Sequence, residues 1–122
     1  MSNGRYERQL ANYLDSSGYH IVRAPSSGGG TKRSLPDLFW SKADERSVAA
    51  ELKTTSKTKA YYTAQEVTAL KEFAAAFNAH ARLVARFKGD TSYYVCAPRD
   101  LYRTNNGSYR VEKGDEIFTI DP

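Results

Sequence analysis

The run Val48-Ala49-Ala50-Glu51-Leu52-Lys53 constrains this chain more than any other segment. Side chains alternate along an extended strand, so Val48, Ala50 and Leu52 share one face while Glu51 and Lys53 share the other. Such a strand needs its apolar face covered, which calls for a sheet with at least one layer packed on it. It also sets a carboxylate and an ammonium group on one small patch. Flanking segments alternate between helical and extended periods. Tyr6, Leu10, Tyr13 and Leu14 recur at i, i+4, i+7 and i+8, which predicts a helix over 4–17 stopped by Gly18.

Strand-like runs follow at 19–23, 35–40 and 47–53, the last pair joined by a turn at 43–46. A basic, Thr-rich loop carries Lys57 and Lys59. Thr63-Ala64-Gln65-Glu66 has the form of a capping box, and Val67, Leu70, Phe73, Ala74 and Phe77 supply the apolar stripe of the helix it starts. Strands are expected at 83–87 and 92–96, and Asn106-Gly107 between Tyr102 and Tyr109 predicts a two-residue hairpin turn. The order α-β-β-β-α-β-β, then a short hairpin, implies an α/β fold: a central mixed five-stranded sheet flanked by helices, in one domain over 1–122.

Composition narrows the functional classes. With 40% hydrophobic and 26% charged residues among 122, the chain is not a disordered one. No apolar run approaches the ~20 residues that span a bilayer, so no membrane partner is expected. The opening Met1-Ser2-Asn3-Gly4-Arg5-Tyr6-Glu7 lacks an apolar leader, and the expected location is intracellular. The single cysteine, Cys96, builds neither an internal disulfide nor a zinc site and reads as a small buried hydrophobe. Eighteen Lys and Arg against 14 Asp and Glu give a net charge of +4. Arg5, Arg8, Arg23, Lys32, Arg33, Lys53, Lys57 and Lys59 concentrate that charge in the first half, where a nucleic acid would sit.

The chemistry is carried by acids. Asp37 heads the otherwise apolar run Leu38-Phe39-Trp40, a position for which Asp is poorly suited unless a turn or a function requires it. If that strand pairs antiparallel with the next, Asp37 comes to lie beside Glu51 and Lys53. Two converging carboxylates form a hard oxygen site suited to Mg²⁺, and the Leu52 carbonyl can supply a further ligand. Glu7 is a third acid, about 20° from Leu14 on a helical wheel and so at the edge of the apolar stripe. Taken alone, it reads as a solvated acid favoured by the helix dipole.

Pro36-Asp37, a spacer of 13 residues and Glu51-Leu52-Lys53 match the PD-(D/E)xK nuclease signature. Further stretches resemble the archaeal-type Holliday-junction resolvases. Gly4-Arg5-Tyr6-Glu7-Arg8 is similar to their opening Gly-x-x-x-Glu-Arg segment, although only two residues separate Gly4 from Glu7. Gly18-Tyr19 and Val22-Arg23-Ala24-Pro25-Ser26-Ser27-Gly28 resemble their Gly-aromatic and Arg-Ala-Pro-x-Ser-Gly stretches. Tyr62, Gln65, Leu70 and Phe73-Ala74 resemble their second helix, and the likeness runs from Gly4 to Phe87.

That resemblance implies a restriction-endonuclease-like core and a crossover junction endonuclease. Glu7, Asp37 and Glu51 would bind Mg²⁺, for which Mn²⁺ would substitute, with the Leu52 carbonyl assisting. Lys53 would orient or deprotonate the attacking water, and Ser27 would contact the scissile phosphate or support catalysis. Arg8 and Arg23 would hold phosphates, and Gln65 would make an accessory polar contact. The partners implied are a four-way DNA junction and a second copy of the chain in a homodimer, with no small-molecule cofactor.

Other features take plainer readings. The triple glycine Gly28-Gly29-Gly30 lacks the strand, helix and Lys-Ser/Thr context of a phosphate-cradling loop. His20 and His80 are isolated in sequence and read as packing or surface residues. The nine tyrosines fit sheet packing better than base stacking. Two rival functions remain open at this stage: a related restriction or repair nuclease, and a non-catalytic DNA-binding module.

Overall fold

A computed structural model describes residues 4–24 and 35–122. Ser27, Lys32, Arg33 and the triple glycine lie outside the described residues. Helix α1 (Gly4–Ser16) leads into β1 (His20–Arg23), β2 (Leu38–Ser41), β3 (Val48–Thr55) and β4 (Lys59–Tyr62). Helix α2 (Ala64–Ala76) is followed by β5 (His80–Phe87), β6 (Tyr93–Cys96), β7 (Tyr102–Arg103), β8 (Tyr109–Glu112) and β9 (Thr119–Ile120).

The main sheet has the order β1-β2-β3-β5-β6-β9, and a smaller one has the order β4-β8-β7. The five expected strands are thus β1, β2, β3, β5 and β6, extended at one edge by the two-residue β9. β3 and β5 run parallel while the other pairs of that sheet are antiparallel. A parallel pair cannot be joined by a tight turn, so residues 56–79 form the crossover that carries β4 and α2.

The alternation read from β3 holds. Ala50 and Leu52 pack under α1 with Leu10, Leu14, Leu38, Trp40, Val84 and Tyr93. Ala49, on the opposite side, joins Val67, Leu70 and Ala74 of α2 and Tyr62, Tyr109 and Val111 of the smaller sheet. Glu51 and Lys53 therefore share the α2 side of the main sheet. α1 ends where Gly18 takes φ +96° and the Tyr19 N–H returns to the Leu14 carbonyl at 3.0 Å. That left-handed turn is the conformation that favours glycine after a helix.

Several boundaries differ from expectation. Residues 59–62, expected as loop, form β4, because its four residues pair with β8 and bury Ala60 and Tyr62. The Tyr62 hydroxyl donates to the Val84 carbonyl, tying this strand to the main sheet. The hairpin at Asn106-Gly107 is a five-residue connection, since Arg103 pairs with Tyr109 and leaves 104–108 between them. β5 begins at His80 rather than Leu83 because it runs in full register with β3. Phe77, expected in the buried stripe, lies just past α2 and is 58% exposed.

Candidate active site

Asp37 sits in a bend immediately before β2 rather than inside the strand. The pairing of Leu38 with Ala50 brings Asp37 alongside the next residues of β3. Its Oδ2 accepts the Leu52 N–H at 2.7 Å, which fixes the carboxylate beside Glu51. A short acid in this bend thus satisfies a backbone donor of β3.

Glu7 arrives from the other side of the sheet. It is 9% exposed in the first turn of α1, among Leu10, Ala11 and Leu14, as its place on the helical wheel suggested. The preceding residue is anchored firmly: the Tyr93 hydroxyl donates to the Tyr6 carbonyl at 2.9 Å. The buried Arg86 guanidinium lies 4.9 Å from the Tyr6 ring centre and 5.2 Å from that of Tyr93. Arg23 of β1 reaches back to Glu7 Oε1 at 3.4 Å.

Lys53 does not pair with Glu51, its neighbour on the same face. Its Nζ donates to Glu66 Oε2 at 2.9 Å instead. Glu66 is the third residue of α2, in a complete capping box with Thr63. The sequence shows the box but not this second role. The available signal was geometric: a lysine on the α2 side of β3 finds its partner on the first turn of α2.

The charges in this constellation are unequal. Burial, together with the charges of Glu7 and Glu66, pushes the Asp37 carboxyl up to about 6 despite the Leu52 hydrogen bond and the Lys53 charge. Burial and the adjacent Asp37, with Glu66 and Glu7 adding to them, push Glu51 up to about 8, against the pull of Lys53. Burial acts upward on Glu66 as well, yet its hydrogen bonds with Lys53 and Thr63 leave it below the ordinary range. Glu7 and Glu66 add to the load on both Asp37 and Glu51, and these are the two acids left under-compensated.

No group of three or more His, Cys, Asp or Glu side chains among the described residues is placed to hold a metal ion by itself. What the fold brings together is the pair Asp37 and Glu51 beside the Leu52 backbone, with Glu7 nearby and engaged by Arg23. Such a pair fits Mg²⁺, which uses one or two carboxylates and takes its remaining ligands from water and substrate phosphates. Two part-buried carboxylates, both raised by burial and by neighbouring acids, are what a divalent cation would relieve.

Arg5, Arg8, Lys57 and Gln65 are exposed, while Lys59 opens β4 half-buried. A separate cavity of about 870 Å³, lined by Tyr13, Trp40, Lys42, Arg82, Arg99 and Phe118 among others, includes none of Glu7, Asp37, Glu51 and Glu66. The acid cluster is thus no part of that cavity. Cys96 is buried, and burial pushes its thiol up to about 12, so it stays an inert packing residue.

Comparison with known proteins then decides the family. A sequence model described as archaeal Holliday junction resolvase (Hjc) matches residues 2–120, nearly the whole chain. The chain belongs to this family. It is 27% identical over 116 residues to the crossover junction endodeoxyribonuclease Hjc of Methanocaldococcus jannaschii, covering 95% of this chain and 80% of that protein. It is 29% identical over 104 residues to the enzyme of the same name from Sulfolobus acidocaldarius, covering 84% and 71%. The solved structure of Archaeoglobus fulgidus Hjc, a Holliday junction resolvase, shares the fold with a TM-score of 0.78. That match covers 89% of this chain and 87% of the other at 24% identity. No helix among the described residues of this resolvase-family chain is long and apolar enough to cross a membrane.

Proposed function

We propose that this chain is a Mg²⁺-dependent endonuclease that resolves four-way DNA junctions, acting as a homodimer inside the cell. Membership of the Hjc family supports the substrate, and one observation supports the chemistry. Asp37 and Glu51, raised by burial and by neighbouring acids, stand next to a lysine held by Glu66. A pure binding surface gains nothing from under-compensated carboxylates set among its cations.

Asp37, Glu51 and the Leu52 carbonyl would hold the ion, with Glu7 adding a third negative charge. The bound metal would lower the pKa of a water and stabilise the leaving oxyanion of a phosphodiester. Lys53 places a positive charge where negative charge develops on the scissile phosphate, or takes the proton of the attacking water. Arg8 and Arg23 would hold neighbouring phosphates, and the charges of Arg5, Lys57, Lys59, Lys32 and Arg33 would add to the attraction for DNA. Ser27 supports the scissile phosphate and Gln65 makes an accessory contact.

A symmetric dimer matches a symmetric branched substrate, since two related sites suit two related cuts. The exposed ring of Phe77, tilted against Phe73 at 4.6 Å and edge-on to Phe39 at 5.6 Å, offers an apolar contact for a second copy. The test is cleavage of a synthetic four-way junction in Mg²⁺ and in chelator, with both nicks mapped. Paired nicks that require the metal and are absent from plain duplex support the reading; equal cutting of duplex rejects junction selectivity.

A further inference from the structure

We infer that Glu66 is a positioning residue for Lys53, so that the N-terminal cap of α2 sets where the catalytic lysine stands. This rests on the reading of Lys53 given above. The two oxygens of one carboxylate do different work. Oε1 accepts the Thr63 N–H at 2.9 Å, while Oε2 accepts from Lys53 Nζ at 2.9 Å. The Glu66 N–H in turn donates to Thr63 Oγ1 at 3.0 Å. A carboxylate gripped at its backbone side cannot swing freely, so the ammonium it holds inherits a defined place.

The support continues below the cap. Thr63 follows Tyr62, which is fully buried and bonded through its hydroxyl to the Val84 carbonyl of β5. Lys53 lies on the neighbouring strand β3, in register with Ala85 of β5. The lysine and its holder are therefore referenced to the same strand. Without Glu66, Lys53 would turn to Glu51, the under-compensated acid on its own face, and leave the position suited to the phosphate.

The capping box offers a clean separation of roles. Glu66→Gln keeps an oxygen for the Thr63 N–H, since Gln serves in this motif as Glu does, but loses the charged partner of Lys53. Thr63→Ala removes the cap hydroxyl and leaves the Glu66–Lys53 pair. Glu66→Gln should melt within about 2 °C of the parent protein, while Thr63→Ala should melt about 3–6 °C lower. Single-turnover cleavage of a prebound junction should fall roughly 10–100-fold in Glu66→Gln and stay within about threefold in Thr63→Ala. Junction affinity in chelator should change less than about twofold in both.

A second readout needs no catalysis. In the metal-free protein, the Lys53 ammonium resonance, assigned by its loss in Lys53→Met, should persist in Thr63→Ala and move or vanish in Glu66→Gln. An unchanged resonance in Glu66→Gln overturns the inference whether or not the chain cuts DNA. Cleavage that falls in step with melting temperature in both variants overturns it too. So does a Glu66→Gln protein whose main defect is a Mg²⁺ requirement raised more than about tenfold, which would make Glu66 a metal-site group. A parent protein that cuts no junction sinks the proposed function, and the resonance alone then decides the role of Glu66.

Discussion

Glu7 and Glu66 each face a cation, Arg23 at 3.4 Å and Lys53 at 2.9 Å, whereas Asp37 and Glu51 join none of the ion pairs among the described residues. All four acids are at least partly buried, and Asp37 and Glu51 each feel the charges of Glu7 and Glu66. The titration of Glu66, Asp37 and Glu51 diverges with their partners. Glu66 is held below the ordinary range, while Asp37 and Glu51 are pushed to about 6 and about 8. Lys53 makes the contrast sharper, since it stands two residues from Glu51 on the same face and serves Glu66 instead. The fold places its own cations on the rim acids and leaves the inner pair for a cation from outside.

Removing the inner pair should have the largest effect. Asp37→Asn and Glu51→Gln should each lower junction cleavage by about a thousandfold or more, because each removes a carboxylate from a site with few to lose. Junction binding in chelator should survive, and even tighten, since a negative charge near phosphates is gone. Loss of binding together with cleavage would show that these acids shape the surface rather than the chemistry.

The same contrast predicts a pH dependence of the metal-free protein. Glu51 keeps its proton in the folded state up to about 8, against 4.5 for the ordinary group, and Asp37 to about 6 against 3.8. Between those values the folded state binds more protons than the unfolded chain. The stability these protons confer is complete below the unfolded values and is lost as pH rises through the folded ones. Allowing for screening at a part-open site, the loss is on the order of 2–3 kcal/mol. Urea titrations at fixed pH steps should show it, Glu51→Gln should flatten it, and Mg²⁺ should stabilise more at pH 8 than at pH 5. A flat profile in the parent protein would mean that the inner acids are not under-compensated.

The inner pair was legible in the sequence because period two alone puts Glu51 and Lys53 on one face, and antiparallel pairing alone returns Asp37 to them. Glu7 was placed correctly on its helix, but periodicity cannot show that Arg23 would meet it. The Glu66–Lys53 pair was not legible, since the capping box gives Glu66 a sufficient local reason to exist and hides a tertiary one. β4 was missed for a related reason. Lys59-Ala60-Tyr61-Tyr62 is short and starts among basic and Thr residues, and its strand character comes from pairing with β8, some fifty residues away in sequence. Local pattern located what one strand and its neighbour decide; contacts made across the crossover had to be seen.

On the rim, a smaller effect is expected from Arg23→Met, which leaves the buried Glu7 without its cation. Stability should fall by about 0.5–1 kcal/mol, in keeping with a pair whose arginine is one-third exposed. Junction affinity should also drop, with the salt dependence lowered by about one ion. An unchanged salt slope would confine Arg23 to a structural role.

Lys57→Ala should do least, and for that reason it calibrates the others. Lys57 is exposed in the connection between β3 and β4, and its backbone N–H is already satisfied by Thr55 Oγ1 at 3.0 Å. Truncating the side chain leaves that turn and all four acids as they were, so stability should stay within about 0.5 kcal/mol. Affinity for the junction should fall about two- to fivefold near physiological salt, through one lost phosphate contact. The cleavage rate of the bound complex should not change, because nothing that holds the metal or Lys53 has moved. A slower bound-state rate would place Lys57 with the inner group, and the division between a cationic rim and an open carboxylate centre would have to be redrawn.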